Sequence, residues 1–234
     1  MKSLTRLLSL LSFILAIVMA LGTALAADLT TYSIDLTQPS SLRLIELPFE
    51  KWVLEVRKDP FGEQALFFPR GSEAIRGPAS AYGLRYFILN TPPIDNFELI
   101  VDVMGGAGEG ENRSLAVIFG YQDLSNWWQT YLTYTANTRI SSIVDERQIN
   151  VCAPGVAELW QKNLTEYHQI KFTVTTDGDY KVFRTYLDGR PIAPIDNCRV
   201  PKSSYIPGKV GLGIQSASTV QAQYYKNIKL TVLP

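Results

Sequence analysis

Histidine and cysteine are scarce in this chain, with one His and two Cys among 234 residues. That scarcity excludes a zinc site built from paired Cys and His ligands, and equally a His-rich catalytic centre. A surplus of either charge is missing too, since 22 Lys plus Arg balance 22 Asp plus Glu. Nucleic-acid binding needs a basic footprint against phosphate, so no nucleic-acid partner is expected. Repeats, low-complexity tracts and charge blocks are also lacking, and nothing marks a linker between domains.

Long apolar runs are confined to the N-terminus. Lys2 and Arg6 precede the almost wholly apolar Leu7 to Leu21, and Ala24-Leu25-Ala26 then leads to polar Asp28. That order reads as a secretory signal peptide, residues 1–26, cleaved after Ala26. An uncleaved anchor is the alternative, because Leu7 to Ala26 is long enough to cross a bilayer. No cysteine near the cleavage point offers a lipid attachment site. Residues 27–234 are expected to be one domain, secreted into a periplasmic or extracellular space, with no membrane partner after cleavage. Loss of Lys2 and Arg6 leaves that domain slightly acidic. In an oxidising compartment Cys152 and Cys198 pair as a disulfide by default, with two buried free thiols as the alternative.

What the mature chain has in quantity is short runs of Val, Ile, Thr, Phe and Tyr between Gly, Pro, Asn and Asp clusters, the mark of an all-β sandwich or barrel. Phe97, Leu99, Val101 and Val103 share one strand face, and Glu98, Ile100 and Asp102 the other. Ile170, Phe172 and Val174 point inward from a second alternating strand. Asp177-Gly178 and Asp188-Gly189 are hairpin turn signals on either side of Tyr180 to Leu187. Helical periodicity is confined to a short turn at 158–163. Residues 59–79 are read as loops around a strand at 66–68.

The runs Asn96 to Val103, Ala116 to Trp128, Tyr186 to Ile192, Gly208 to Gly213 and Tyr225 to Leu230 together resemble the concanavalin A-like lectin and glucanase superfamily, most of all its laminin G-like jelly rolls. The resemblance covers roughly Asp95 to Leu230. It implies two stacked antiparallel sheets, a β-sandwich jelly roll with a concave face on which sugars commonly sit. Lectins, glycan-cleaving enzymes and protein-binding modules all share this architecture, so the site must decide among them.

Glycanases of the superfamily usually carry Glu-x-Asp-x-Glu or Glu-x-Asp-x-x-Glu on one strand. None of the 22 acidic residues forms either run. Glu98 and Asp102 share a face but stand about 13 Å apart along a strand, too far for a retaining pair. No catalytic residue is therefore assigned. The lone His168 reads as a strand-end residue bonded to a loop. Glycines at 105–110 lead into a strand, not a helix, so they form a hairpin connection rather than a phosphate cradle. No cofactor is assigned, although loop carboxylates at Glu109, Glu111 or the turn aspartates leave calcium open. Asn112 and Asn163 match the glycosylation acceptor pattern.

Aromatic residues supply the functional signal. Over Trp127 to Tyr134, alternation turns Trp127, Gln129, Tyr131 and Thr133 one way, and Trp128, Thr130, Leu132 and Tyr134 the other. Two adjacent tryptophans cannot enter the same core. One face therefore offers an indole, an amide and a phenol in a row, which suits stacking on a sugar with hydrogen bonds to its hydroxyls. The alternative is that both faces are buried, one in the sandwich and one beneath a loop. Tyr121 and Arg139 are further candidate contacts. The expected function is non-catalytic glycan or polysaccharide binding on the concave face, led by Trp127, Gln129 and Tyr131. A polysaccharide hydrolase or lyase, and a protein-interaction module, are the rival readings.

Overall fold

The computed structural model describes residues 29–49, 52–69, 84–105, 114–133, 138–155, 166–192, 198–215 and 223–234. Residues 31–234 form one compact unit, while the preceding unit, 1–30, contains only Leu29 and Thr30 among the described residues. The leader, the glycine connection at 105–110 apart from Gly105, Glu109 and Glu111, the turn at 158–163 and the glycosylation patterns at Asn112 and Asn163 lie outside them, wholly or in their key residues.

Sixteen described strands build two antiparallel sheets. The central strands of the nine-stranded sheet are β12 (Tyr180–Leu187), β11 (His168–Asp177), β6 (Phe97–Gly105), β16 (Gln223–Val232) and β4 (Gln64–Phe68), in that order. Its edges carry β13 (Arg190–Pro191) and β14 (Cys198–Pro201) beside β12, and β3 (Glu55–Lys58) beside β4, while β1 (Thr31–Ser33) pairs with β16. The seven-stranded sheet runs β10 (Arg147–Gly155), β9 (Thr138–Val144), β8 (Asn126–Thr133), β7 (Ser114–Asp123), β15 (Lys209–Gln215), β5 (Leu84–Leu89) and β2 (Ile45–Glu46). The all-β sandwich expected from the sequence is what forms. Within the described part of that region, 59–69, there is more order than expected, because β4 starts at Gln64 and makes a hairpin with β3 around Asp59 to Glu63.

Alternation sets the core. Phe97, Leu99, Val101 and Val103 from β6 meet Ile170, Phe172 and Val174 from β11, and all seven are fully buried between the sheets. Leu115, Val117, Phe119, Trp128, Leu132, Val210 and Leu212 face them from the seven-stranded sheet. The Cys152–Cys198 disulfide forms, with its Cα atoms 6.1 Å apart. It ties edge strand β10 of one sheet to β14 at the edge of the other, closing that flank of the sandwich.

Two of the two-residue hairpin loops take φ > 0 at both positions. Asp188 and Gly189 take φ of 49° and 75°. At the β9–β10 turn the same geometry occurs without glycine, at Asp145 and Glu146 with φ of 48° and 66°. Two bonds from the neighbouring β7–β8 turn hold this pair there. Asp145 N donates to Asn126 Oδ1 at 3.2 Å, and Glu146 N donates to the Ser125 carbonyl at 3.1 Å. His168 sits at the start of β11 with Nδ1 2.8 Å from Asp188 Oδ2, a strand-end histidine bonded to a turn.

Candidate functional site

The outer face of the seven-stranded sheet carries a second apolar cluster that the sandwich core does not use. It comprises Trp127 and Tyr131 of β8, Ile143 of β9, Ala116, Ile118 and Tyr121 of β7, Leu84, Tyr86 and Ile88 of β5, and Trp52. Trp128 lies on the opposite side, in the core. The two tryptophans thus divide between the faces as alternation requires.

Tyr121 reaches the outer face by a different route. Simple alternation would send it inward with Phe119, its neighbour two residues back. Gly120 takes φ 55°, and the ladder slips between Phe119 and Asp123 against β8 and between Lys209 and Gly211 against β15. Against β15 this bulge adds one residue, which reverses the direction of Tyr121. A Cβ at position 120 would lie 2.9 Å from the Ile206 carbonyl oxygen, so glycine is required on two grounds.

The rings join across the face. Tyr86 lies 6.0 Å from Trp127, 5.9 Å from Tyr121 and 4.8 Å from Trp52, whose ring is in turn 5.9 Å from Phe49. Close approach is helped by β15, where a Cβ on Gly213 would come within 2.5 Å of the Arg85 carbonyl. Trp127 Nε1 donates to Gln129 Oε1 at 3.3 Å, and the Arg139 guanidinium stands 5.4 Å over the Tyr131 ring. Trp127, Gln129 and Tyr131 are only 2–4% exposed, with Leu47, Phe49 and Trp52 packed on the same cluster.

Sequence reasoning missed Trp52, whose loop has no periodic pattern to place it. Its indole N–H is buried without a hydrogen-bond partner, a donor without an acceptor inside the aromatic cluster.

Beyond the rings the face becomes polar. Cross-strand register aligns Gln129 with Ser141, and Ser141 with Asn150. Ser141 Oγ donates to Asn150 Oδ1 at 3.0 Å, and Gln148 Nε2 donates to both Ser141 Oγ and Asn150 Oδ1, at 3.1 and 3.2 Å. This triad fixes the two amides, and it leaves the Asn150 N–H groups and the Gln148 carbonyl with no hydrogen bond to a described residue. Asn150 is exposed and Gln148 half-buried.

At the other side of Tyr121 an open cleft of about 560 Å³ is lined by Glu46, Pro48, Gln122, Asp123 and Lys209 among others. Burial pushes the Tyr121 phenol up to about 12, with the Glu46 carboxylate adding to the effect. Both cleft carboxylates are engaged. Glu46 Oε2 pairs with Lys209 Nζ at 2.7 Å, and Asp123 accepts from Ser125 N and Asn126 Nδ2. Among the described residues no group of three or more His, Cys, Asp or Glu side chains is placed to hold a metal ion.

The architecture defines the class of fold, a concanavalin A-like jelly roll. Solved structures of the same architecture include the carbohydrate-binding module CBM66 from Bacillus subtilis, at TM-score 0.52 and 13% identity over 80% of this chain and 94% of that one. The Emp46p carbohydrate recognition domain in its potassium-bound form gives 0.57 and 12% over 85% and 95%. A legume lectin-like domain from Entamoeba histolytica gives 0.54 and 12% over 84% and 94%. No protein-family model and no curated protein matches the sequence.

Proposed function

We propose that the protein is a non-catalytic carbohydrate-binding module whose ligand face is the outer surface of the seven-stranded sheet. The observation that carries this reading is the continuity of that face from an aromatic cluster to a fixed pair of amides with unused hydrogen-bonding groups. A neutral sugar needs both elements, an aromatic plate for its C–H face and amides for its hydroxyls. The structural neighbours described as a carbohydrate-binding module, a carbohydrate recognition domain and a lectin-like domain support the same class of ligand.

A glycan would meet Asn150, Gln148 and Arg139 first. Trp127, Gln129 and Tyr131 are buried in the aromatic cluster beside these groups and would form the floor of the site, with direct contact to a sugar requiring neighbouring rings to move aside. The unpaired Trp52 N–H would donate to a ligand oxygen there. The ion pair of Glu46 with Lys209 and the bonds of Asp123 to its own turn give both carboxylates structural roles, which favours binding over hydrolysis. Secretion of the protein into an oxidising space is part of the proposal, supported by the disulfide. Among the described residues no helix is long and apolar enough to cross a membrane.

A glycan array probed with the mature protein and its Trp127→Ala variant tests the assignment. Binding by the wild type and loss in the variant is the expected result. Unchanged binding in the variant would remove the aromatic floor from the site, and silence from both would reject the lectin reading under the conditions used.

A further inference from the structure

Lys181 occupies an unusual position for its type. Alternation along β12 places it on the same side as Phe183, Thr185 and Leu187, so its stem enters the end of the sandwich instead of solvent. The side chain is 1% exposed. Its Nζ lies 2.6 Å from Asp95 Oδ1, 2.8 Å from Thr176 Oγ1 and 2.9 Å from Asn96 Oδ1, with the Tyr205 ring centre 5.4 Å away. The Asn96 carboxamide is held from both ends. Thr176 Oγ1 donates to its Oδ1 at 2.9 Å, and its Nδ2 donates to the Pro234 carbonyl oxygen at 2.8 Å. A carbonyl bond of about 1.23 Å then puts Lys181 Nζ within about 4.1 Å of Asn96 Cγ.

These groups are the parts of an acyl-transfer site: an amine, a carboxylate touching it, an amide carbon within reach, and a hydroxyl donor on the oxygen where negative charge would develop. We propose that Lys181 and Asn96 join in an intramolecular isopeptide bond in the folded protein. Asp95 takes a proton from the Lys181 ammonium, and the freed lone pair attacks Asn96 Cγ. The C=O electron pair moves onto Oδ1, where the Thr176 hydroxyl stabilises it, and returns as the Cγ–Nδ2 bond breaks. Both protons lost by Nζ end on the departing nitrogen, one of them through Asp95, so ammonium leaves and Asp95 returns to its carboxylate. One C–N bond forms, one breaks, and nothing is oxidised or reduced.

The fold favours this step in three ways. Ordering of the reactants replaces a bimolecular encounter. Conversion of a buried ammonium into a neutral amide removes the penalty of keeping that charge from water. Half-exposed Asp95 gives the ammonium a way out. The bond would tie the start of β6 to β12 across β11, within the nine-stranded sheet and independent of the disulfide.

Intact mass spectrometry of the reduced, folded wild-type protein tests this directly. The expected mass is lower than that calculated for the same polypeptide without the bond by about 17 Da, one ammonia, and a proteolytic digest contains a branched peptide joining residues 96 and 181. Asp95→Ala is expected to show the full mass while keeping the wild-type circular dichroism spectrum. A wild-type protein that holds its full mass after prolonged incubation in the folded state overturns the proposal, as does a mass deficit without the branched peptide. A light Asp95→Ala variant overturns the role given to Asp95.

Discussion

Replacement of both Cys152 and Cys198 by alanine should loosen the molecule at one flank and leave the opposite side intact. The disulfide closes a loop with a sequence separation of 46 residues. In the chain-entropy account, a loop of that size contributes about 4 kcal/mol by restricting the unfolded chain. For a domain of this length each kcal/mol corresponds to about 2–4 °C, so the melting temperature should fall by about 8–16 °C. Location gives the sharper test. β10 pairs only with β9, and β14 only with β12, so the bond holds two edge strands that no further ladder supports. Hydrogen exchange should accelerate in β10 and β14, while β6, β11 and β16 keep their protection until global unfolding. Calorimetry with and without reductant, followed by exchange mass spectrometry, reads both effects. A melting temperature within about 2 °C of wild type, or exchange that rises uniformly across both sheets, would refute this reasoning.

Two further perturbations probe the face and its surroundings. Gly120→Ala should cost about 1–2 kcal/mol for the left-handed backbone alone, more with the approach to the Ile206 carbonyl, and should weaken ligand binding through Tyr121; urea unfolding at wild-type stability would contradict the bulge. On the other sheet, burial pushes the Asp59 carboxyl up, but bonds from Tyr167 and the Glu63 and Phe61 amides, with nearby Lys226, outweigh it and hold the group below 3.8. A depressed folded value means stability that is present at neutral pH and lost as pH falls through that value. The deficit of Asp59→Asn relative to wild type should therefore shrink below pH 3.8 in urea titrations, and a deficit independent of pH would contradict the assignment.

The division of Trp127 from Trp128 was legible in the sequence because strand period is a local property, and so was the inward side of β6 and β11. The disulfide was legible because only two cysteines exist. Tyr121 could be nominated but not placed, since its direction depends on a bulge that shifts register against β15 by one residue. Ser141, Gln148 and Asn150 were not nominated at all. Each is an ordinary polar strand residue, and they become a triad only through the pairing of β8 with β9 and β9 with β10. Cross-strand register is a tertiary quantity that no local pattern carries. The glycine-free turn at Asp145-Glu146 escaped for a related reason, because its φ values are supported by bonds from the distant Ser125 and Asn126.

The central claim is that the outer face of the seven-stranded sheet binds carbohydrate through fixed amides beside aromatic rings. Its most direct test is titration calorimetry of the strongest glycan-array ligand against wild type and the Gln148→Ala/Asn150→Ala double variant. Each lost hydrogen bond contributes about 0.5–1.5 kcal/mol, so affinity should drop roughly tenfold. The variant orphans the buried Ser141 hydroxyl at a cost of about 1–3 kcal/mol, so its fold is checked by circular dichroism at the titration temperature. Wild-type affinity in the double variant would contradict the account.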